Sequence, residues 1–559
     1  MTEIAERTLK TIFENSIANF GDKVALSFVD EEPLRYNQIG ATVSAIQDAL
    51  HKRGIQKGDR VAILSENSPR WGMVYFAVGT MGAINVPILP DFHKSEVHHI
   101  LRNAGAKIIF ISGKLAHKII EAKIPELELV VTLDDDEIET DHLISETFSD
   151  LIAGKEATNK SKTNKKREEA KIDENDLMEI LYTSGTTGHS KGVMLTHRNI
   201  ISNALSAIRA IEITSQDRLL SILPLAHSYE CTCGFISPFM EGAGIYYIKG
   251  LPTAKTLLPA VAKIKPTILL SVPLIMSKIY KKKVLSQINE KAFSRILFNL
   301  PPTKKIVHRI AGQKLYKAFG GELKFMVFGG AATPKEVEDF LTDGGFPYIT
   351  GYGLTESSPL LTVNPVGEVK KQSAGKVVSE VQVRIDDPDP QTGIGEIVAT
   401  GPNIMQGYYR NEEVTKGTFT EDGWLKTGDR GYFDEDGYLF IKGRSKNLIV
   451  GPSGENIFPE EIEFHLSQFP FVLESLVYEK DGKVVARVHL DYDALDKEFS
   501  SDGIDESEAS KRIQQILEDI RKQTNSQIAS YSRIHRIIEQ TEEFEKTPTK
   551  KIKRYLYTS

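Results

Sequence analysis

Short apolar runs alternate with stretches in which apolar residues recur every three to four positions, and the alternation persists from Arg60 to Phe328. Residues 60–64 read as a strand, 67–82 as an amphipathic helix with Pro69 near its start, and 84–88 as a second strand, together a βαβ unit. The strand pattern repeats at 106–111, 127–133, 178–181, 219–223, 244–248, 267–272 and 323–328, with helical stretches such as 334–341 between. Such alternation predicts layered, mainly parallel α/β structure. Residues 376–442 change character: short strands at 381–385, 396–400 and 438–442, broken by Gly, Asp and Pro, predict a smaller β subdomain. Beyond Lys446 a helix at 459–466, strands at 472–478 and 484–490 and a helix at 510–522 predict a small α+β unit. Two charged stretches, 154–176 and 496–508, predict solvated mobile loops.

A chain of 559 residues exceeds what one core organises, and a hydrophobic fraction of 40% is ample for burial, so at least two domains are expected. Lys+Arg 69 against Asp+Glu 76 gives a spread-out net charge of −7, which argues against a nucleic-acid partner. The only two cysteines, Cys231 and Cys233, read as buried thiols in a reducing, cytoplasmic setting rather than as a disulfide or zinc site. The first ten residues lack a signal-peptide core, no apolar run is long enough to span a bilayer, and the C-terminal Tyr-Thr-Ser is not a peroxisomal address. A soluble or at most peripheral protein is expected. Lys155, Lys160, Lys162, Lys165, Lys166 and Arg167 suit a membrane surface, but Glu156, Glu168 and Glu169 dilute that charge.

Residues 182–193, Tyr-Thr-Ser-Gly-Thr-Thr-Gly-His-Ser-Lys-Gly-Val, follow an apolar strand and carry the strongest chemical signal. Gly185, Gly188 and Gly192 permit close backbone approach, Thr183, Ser184, Thr186 and Thr187 offer hydroxyl donors, and Lys191 adds a point charge, a set suited to an anionic polyphosphate. It is not a Walker A loop, because Ser190 rather than glycine precedes Lys191 and Gly192 rather than Ser/Thr follows it. An amphipathic stretch opening at Thr196 comes next, which a flexible linker would not explain.

This loop resembles the phosphate loop of the adenylate-forming superfamily, which includes acyl-CoA synthetases, nonribosomal peptide adenylation domains and luciferases. Further matches follow in that superfamily's order: Pro224-Leu-Ala-His-Ser-Tyr-Glu230, Phe328-Gly-Gly-Ala-Ala332, Gly351-Tyr-Gly-Leu-Thr-Glu-Ser357, Thr427-Gly-Asp429, Gly443-Arg-Ser-Lys446 and Thr547-Pro-Thr-Lys-Lys551. The wording looks most like long-chain fatty acid–CoA ligases. The resemblance implies a large N-terminal adenylation domain, residues 1–445, and a small mobile C-terminal domain, residues 446–559, hinged at Lys446.

It also implies roles. Carboxylate activation by ATP brings two anions together, a repulsion of about 4 kcal/mol per unit pair at ~4 Å and an effective dielectric near 20. The resemblance gives the intervening cation as Lys551, with Lys550 one residue away in register. Glu356 offers the carboxylate for Mg²⁺, Thr355 a hydroxyl for phosphate and Tyr352 a ring for adenine. Gly330 and Ala331 leave room for the purine, Asp429 suits vicinal ribose hydroxyls, and Arg444 offers a planar fork to ribose or phosphate. His227 faces the carboxylate pocket by analogy. Phe235, Phe239, Met240 and Leu274 fit an acyl tunnel or an ordinary core equally well. The implied partners are a fatty acid, ATP and coenzyme A; a carrier-protein acceptor, another carboxylic acid and a catalytically silent nucleotide-binding protein are the alternatives. The swing of the small domain, presenting residues 451–457 to the pantetheine arm, is likewise implied by resemblance.

Overall fold

The computed structural model describes residues 6–121, 123–140, 143–154, 170–183, 190–250, 252–290, 296–298, 300–450, 456–502, 506–547 and 551–558. Two large sheets of nine and eight strands build the N-terminal part. In the eight-stranded sheet Ile84–Pro87, Arg60–Leu64, Ile108–Ile111, Leu129–Thr132 and Ile144–Thr147 are parallel neighbours, and the first four are buried on both faces. In the nine-stranded sheet Arg218–Ser221, Ile268–Ser271, Phe325–Phe328 and Tyr348–Gly353 run parallel, then Leu360–Val363 turns back antiparallel. The expected β subdomain is a four-stranded antiparallel sheet of Gln382–Asp386, Gly395–Thr400, Leu425–Phe433 and Leu439–Arg444.

Two expectations are revised. The phosphate loop does not run from strand to helix: Lys191–Thr196 is itself a strand, antiparallel to Leu177–Thr183, so the loop spans a hairpin whose neck is the pair Thr183 and Lys191. The helix then starts where expected, His197–Ile211, with the Thr196 hydroxyl accepting from the Asn199 amide. Residues 496–502 and 506–508 are helical rather than loop. Tyr492–Asp502 and Glu506–Gln527 are helices, and residues 503–505 lie outside the described ones. Leu495 and Phe499, four positions apart, bury one face of the first helix while Asp493 and Asp496 meet water, a pattern that composition alone conceals.

Phe235 and Phe239 are fully buried among aromatic rings, Phe239 4.4 Å from Phe76 and 5.8 Å from Phe13, so they serve the core. Met240 packs against that core and Leu274 is exposed. Cys231 and Cys233 are buried free thiols, as expected, and burial pushes Cys233 up to about 12. No described helix is long and apolar enough to cross a membrane.

The C-terminal part has its own core, including Ile449, Leu466, Val488 and Leu517. Its strands Val472–Lys480 and Lys483–Leu490 pair antiparallel, and Arg536–Glu539 adds in parallel. It docks on the large domain through Lys281, whose Nζ donates to the carbonyls of Ser467, 3.2 Å, and Val472, 3.0 Å. Ser467 ends the helix Pro459–Ser467, where the helix dipole favours a cation.

Candidate active site

The strand Tyr348–Gly353 ends where the chain doubles back so closely that a Cβ on Gly353 would lie 1.8 Å from the Pro359 carbonyl oxygen, so only glycine fits. The short 3₁₀ turn Thr355–Ser357 follows and presents Thr355 and Glu356. Glu356 Oε1 accepts from the Tyr408 hydroxyl at 2.9 Å, and Lys191 Nζ stands 5.5 Å from the centre of the Tyr408 ring. Tyr408 is held there by pairing with Val193, on the strand that Lys191 begins. Lys191, Tyr408 and Glu356 thus form one cluster beside the hairpin neck. Ser184, Gly185, Thr186 and Thr187 lie outside the described residues.

Asp429 sits on Leu425–Phe433, whose alternate residues point inward, and only 5% of it is exposed. Its strand partner is Arg444, whose Nε donates to Oδ1 at 2.8 Å, while the Tyr352 hydroxyl donates to Oδ2 at 2.7 Å. Burial pushes the Asp429 carboxyl up, and Arg444 and Tyr352 pull it back toward the charged form. Gly330, at φ +82°, turns the chain out of the strand Phe325–Phe328 and, with Ala331, is open to solvent.

Lys551 arrives from the small domain on a turn in which the Thr547 amide donates to the Lys551 carbonyl, 2.7 Å, and the Lys551 amide to the Thr547 hydroxyl, 3.1 Å. Solvent reaches its side chain, yet protein surrounds it on most sides. Burial and then Arg444 push its pKa down, while Asp429 and Glu356 pull it up, so its charge lies within electrostatic reach of all three. Lys550 lies outside the described residues. His227 is on the wall. Its Nδ1 accepts from the Tyr229 amide at 3.2 Å, which assigns the proton of the neutral ring to Nε2, and burial followed by the Lys551 charge pushes its pKa down to about 4. It is therefore neutral near pH 7. Lys446 stands in the turn Ser445–Asn447, close enough to Arg444 and Lys551 for burial and both charges to push its pKa down.

A sequence profile of the AMP-binding enzyme family matches residues 13–409. The chain belongs to that family. Relatives of this AMP-binding enzyme include a long-chain-fatty-acid–CoA ligase of Mycobacterium bovis, 30% identical over 76% of this chain and 71% of its own. A peroxisomal long chain acyl-CoA synthetase of Arabidopsis thaliana is 29% identical over 89% and 75%. The crystal structure of an anthranilate CoA ligase in complex with anthranoyl-AMP shares the fold, with a TM-score of 0.79 over 98% of this chain and 96% of that one at 24% identity. Thr183, Lys191, His227, Gly330, Tyr352 and Glu356 fall within the matched span; Asp429, Arg444 and Lys551 lie beyond it but face the same cleft.

Two features of the AMP-binding enzyme escaped the sequence. Tyr408 contacts Glu356 across 52 positions, a pairing that no local pattern announces. Glu230, the last residue of the His227 motif, is 1% exposed and begins the π-helix Glu230–Ile236. Its Oε1 accepts from the Ser221 hydroxyl at 2.5 Å, and burial pushes its pKa up to about 8. Because the folded value exceeds the unfolded one, the unfolded chain loses this proton first as pH rises. Stability from this group is therefore full below about pH 4.5 and declines through pH 8. Glu230→Gln, neutral at every pH, is expected to become progressively more stable relative to the parent between pH 5 and 8, by an amount of order a few kcal/mol. A melting difference that stays constant with pH would show that the buried carboxyl does not titrate there.

Proposed function

We propose that this AMP-forming acid–CoA ligase activates a long-chain fatty acid: the carboxylate attacks the α-phosphate of ATP, giving acyl-adenylate and pyrophosphate, and the CoA sulfur then attacks the acyl carbonyl, giving thioester and AMP. The observation that carries the reading is the cluster of Tyr352, Asp429 and Arg444, joined at 2.7 and 2.8 Å, with Glu356 and Lys551 within electrostatic reach of it. The Lys551 ammonium lies between the two anions that must approach, and offsets charge that builds during the attack. Neutral His227, with its proton on Nε2, can donate to a carboxylate but cannot act as an imidazolium acid. Asp429 accepts from ribose hydroxyls while Arg444 fixes its orientation. Long-chain acids are supported by the names of the two curated relatives and by the motif wording.

Magnesium is usually held by one or two carboxylates together with phosphate oxygens and water. Glu356, with one oxygen accepting from Tyr408, fits as a single carboxylate ligand, and among the described residues no cluster of three His, Cys, Asp or Glu competes for the metal. A bound Mg²⁺ would neutralise triphosphate charge there. Glu356→Gln is expected to raise the magnesium concentration needed for half-maximal pyrophosphate release, and an unchanged titration would remove Glu356 from the metal's ligands.

The same cleft must admit CoA after adenylation, so the small domain, residues 446–559, rotates about Lys446 and withdraws Lys551. Pyrophosphate release across a panel of fatty, aryl and short acids, with and without CoA, tests the reading. Turnover restricted to aryl or short acids would overturn the fatty-acid assignment, and thioester formed only on a phosphopantetheinylated carrier would overturn CoA as acceptor.

A further inference from the structure

Residues 273–318 hold eleven Lys or Arg and one acidic residue, whereas the whole chain has an acidic excess, 69 against 76. The segment opens at the rim of the active-site cleft, because Val272, just before it, lies 3.9 Å from where a Cβ on Gly330 would sit. Its helix Pro301–Ala318 contains five basic residues and no acidic one. One side of that helix is anchored: His308 and Leu315 are buried, and the His308 ring lies 5.5 Å from Phe340. Tyr280, from the lysine-rich turn Tyr280–Leu285, packs 4.9 Å from the same Phe340, which places the two basic elements side by side.

The outer side is the unusual one. Ile306 is 59% and Ile310 54% exposed, four positions apart and so neighbours on one face. Leu300, 48% exposed, and Ile296, 59% exposed, precede the helix. Lys305, Arg309 and Lys314 flank it, all exposed. Scattered single apolar residues on a surface need no explanation, but a strip of large aliphatics bordered by one sign of charge marks an interaction site. Aliphatic side chains at the centre with a cationic rim match a bilayer interface, where methyl groups enter the acyl boundary and lysines meet anionic headgroups. A nucleic acid would use the charge but leave the isoleucines in water.

We propose that the outer face of helix Pro301–Ala318, centred on Ile306 and Ile310, docks this enzyme peripherally on anionic lipid surfaces. This docking is a separate matter from which acid is activated, although a fatty acid partitioning into the same bilayer would be delivered beside the cleft.

The test uses the full-length protein without substrates, so its failure is distinguishable from failure of the fatty-acid reading. The parent is expected to co-sediment with vesicles containing phosphatidylglycerol and much less with pure phosphatidylcholine. Raising salt until the Debye length falls from ~10 Å to ~3 Å should weaken binding. The double variant Ile306→Ser, Ile310→Ser should bind the anionic vesicles at least about fivefold more weakly, and Lys305→Glu, Arg309→Glu more than about tenfold. Because these side chains are exposed, both variants should keep the parent's melting temperature and its pyrophosphate release with a water-soluble acid. Equal binding to both vesicle types, or unchanged binding by the two variants, would overturn the proposal. So would single-stranded RNA binding that is lost with Lys305→Glu, Arg309→Glu and kept by the isoleucine variant when vesicles are ignored.

Discussion

Replacing Lys551 by alanine is expected to slow acyl-adenylate formation by about 10²–10³, the usual loss when one preorganised cation at developing charge is removed. The reason is positional. Lys551 comes from the small domain and feels Arg444, Asp429 and Glu356, and in the proposed reaction its ammonium offsets the charge of the attacking carboxylate and the α-phosphate. Conversion of preformed acyl-adenylate and CoA into thioester should proceed at close to the parent's rate, because Lys551 has left by then in the two-conformation scheme. Parallel assays of the two half-reactions decide the matter. Equal damage to both steps would sink domain alternation, and loss on Lys550→Ala in place of Lys551→Ala would move the catalytic register by one residue.

Asp429→Ala should raise the ATP concentration needed for adenylation roughly 10–150-fold, corresponding to about 1.5–3 kcal/mol of charged hydrogen bonding. More than a ribose acceptor is removed. Arg444 loses its partner at 2.8 Å and the Tyr352 hydroxyl its acceptor at 2.7 Å, so both residues are freed from their orientation in the nucleotide site. AMP binding by calorimetry should weaken in step, with the protein still folded. Unaltered AMP affinity would mean that the carboxylate serves the β subdomain and not the nucleotide.

The motif residues were legible because each chemical demand is local: glycine at Gly330 for a positive φ, glycine at Gly353 for a backbone contact, a carboxylate at Asp429 on an inward-facing strand position. The strands 60–64, 84–88 and 323–328 were likewise legible, since burial on both faces writes a continuous apolar run. The strand Lys191–Thr196 was not, because its polar ends mask the short apolar centre and its pairing partner lies across the phosphate loop. Helix Tyr492–Asp502 was missed for the converse reason, a mostly polar sequence anchored in the core by Leu495 and Phe499.

The sequence by itself determined the chemistry on offer and the layered α/β class, both of which follow from residue type and short-range periodicity. Only the tertiary structure decided which of those residues meet. Val24–Phe28 pairs with Gly244–Tyr247, Tyr408 reaches Glu356, and Lys551 comes to Asp429. These encounters depend on sheet order and on domain docking through Lys281, and neither hydrophobic period nor spacing along the chain encodes contacts between segments so far apart.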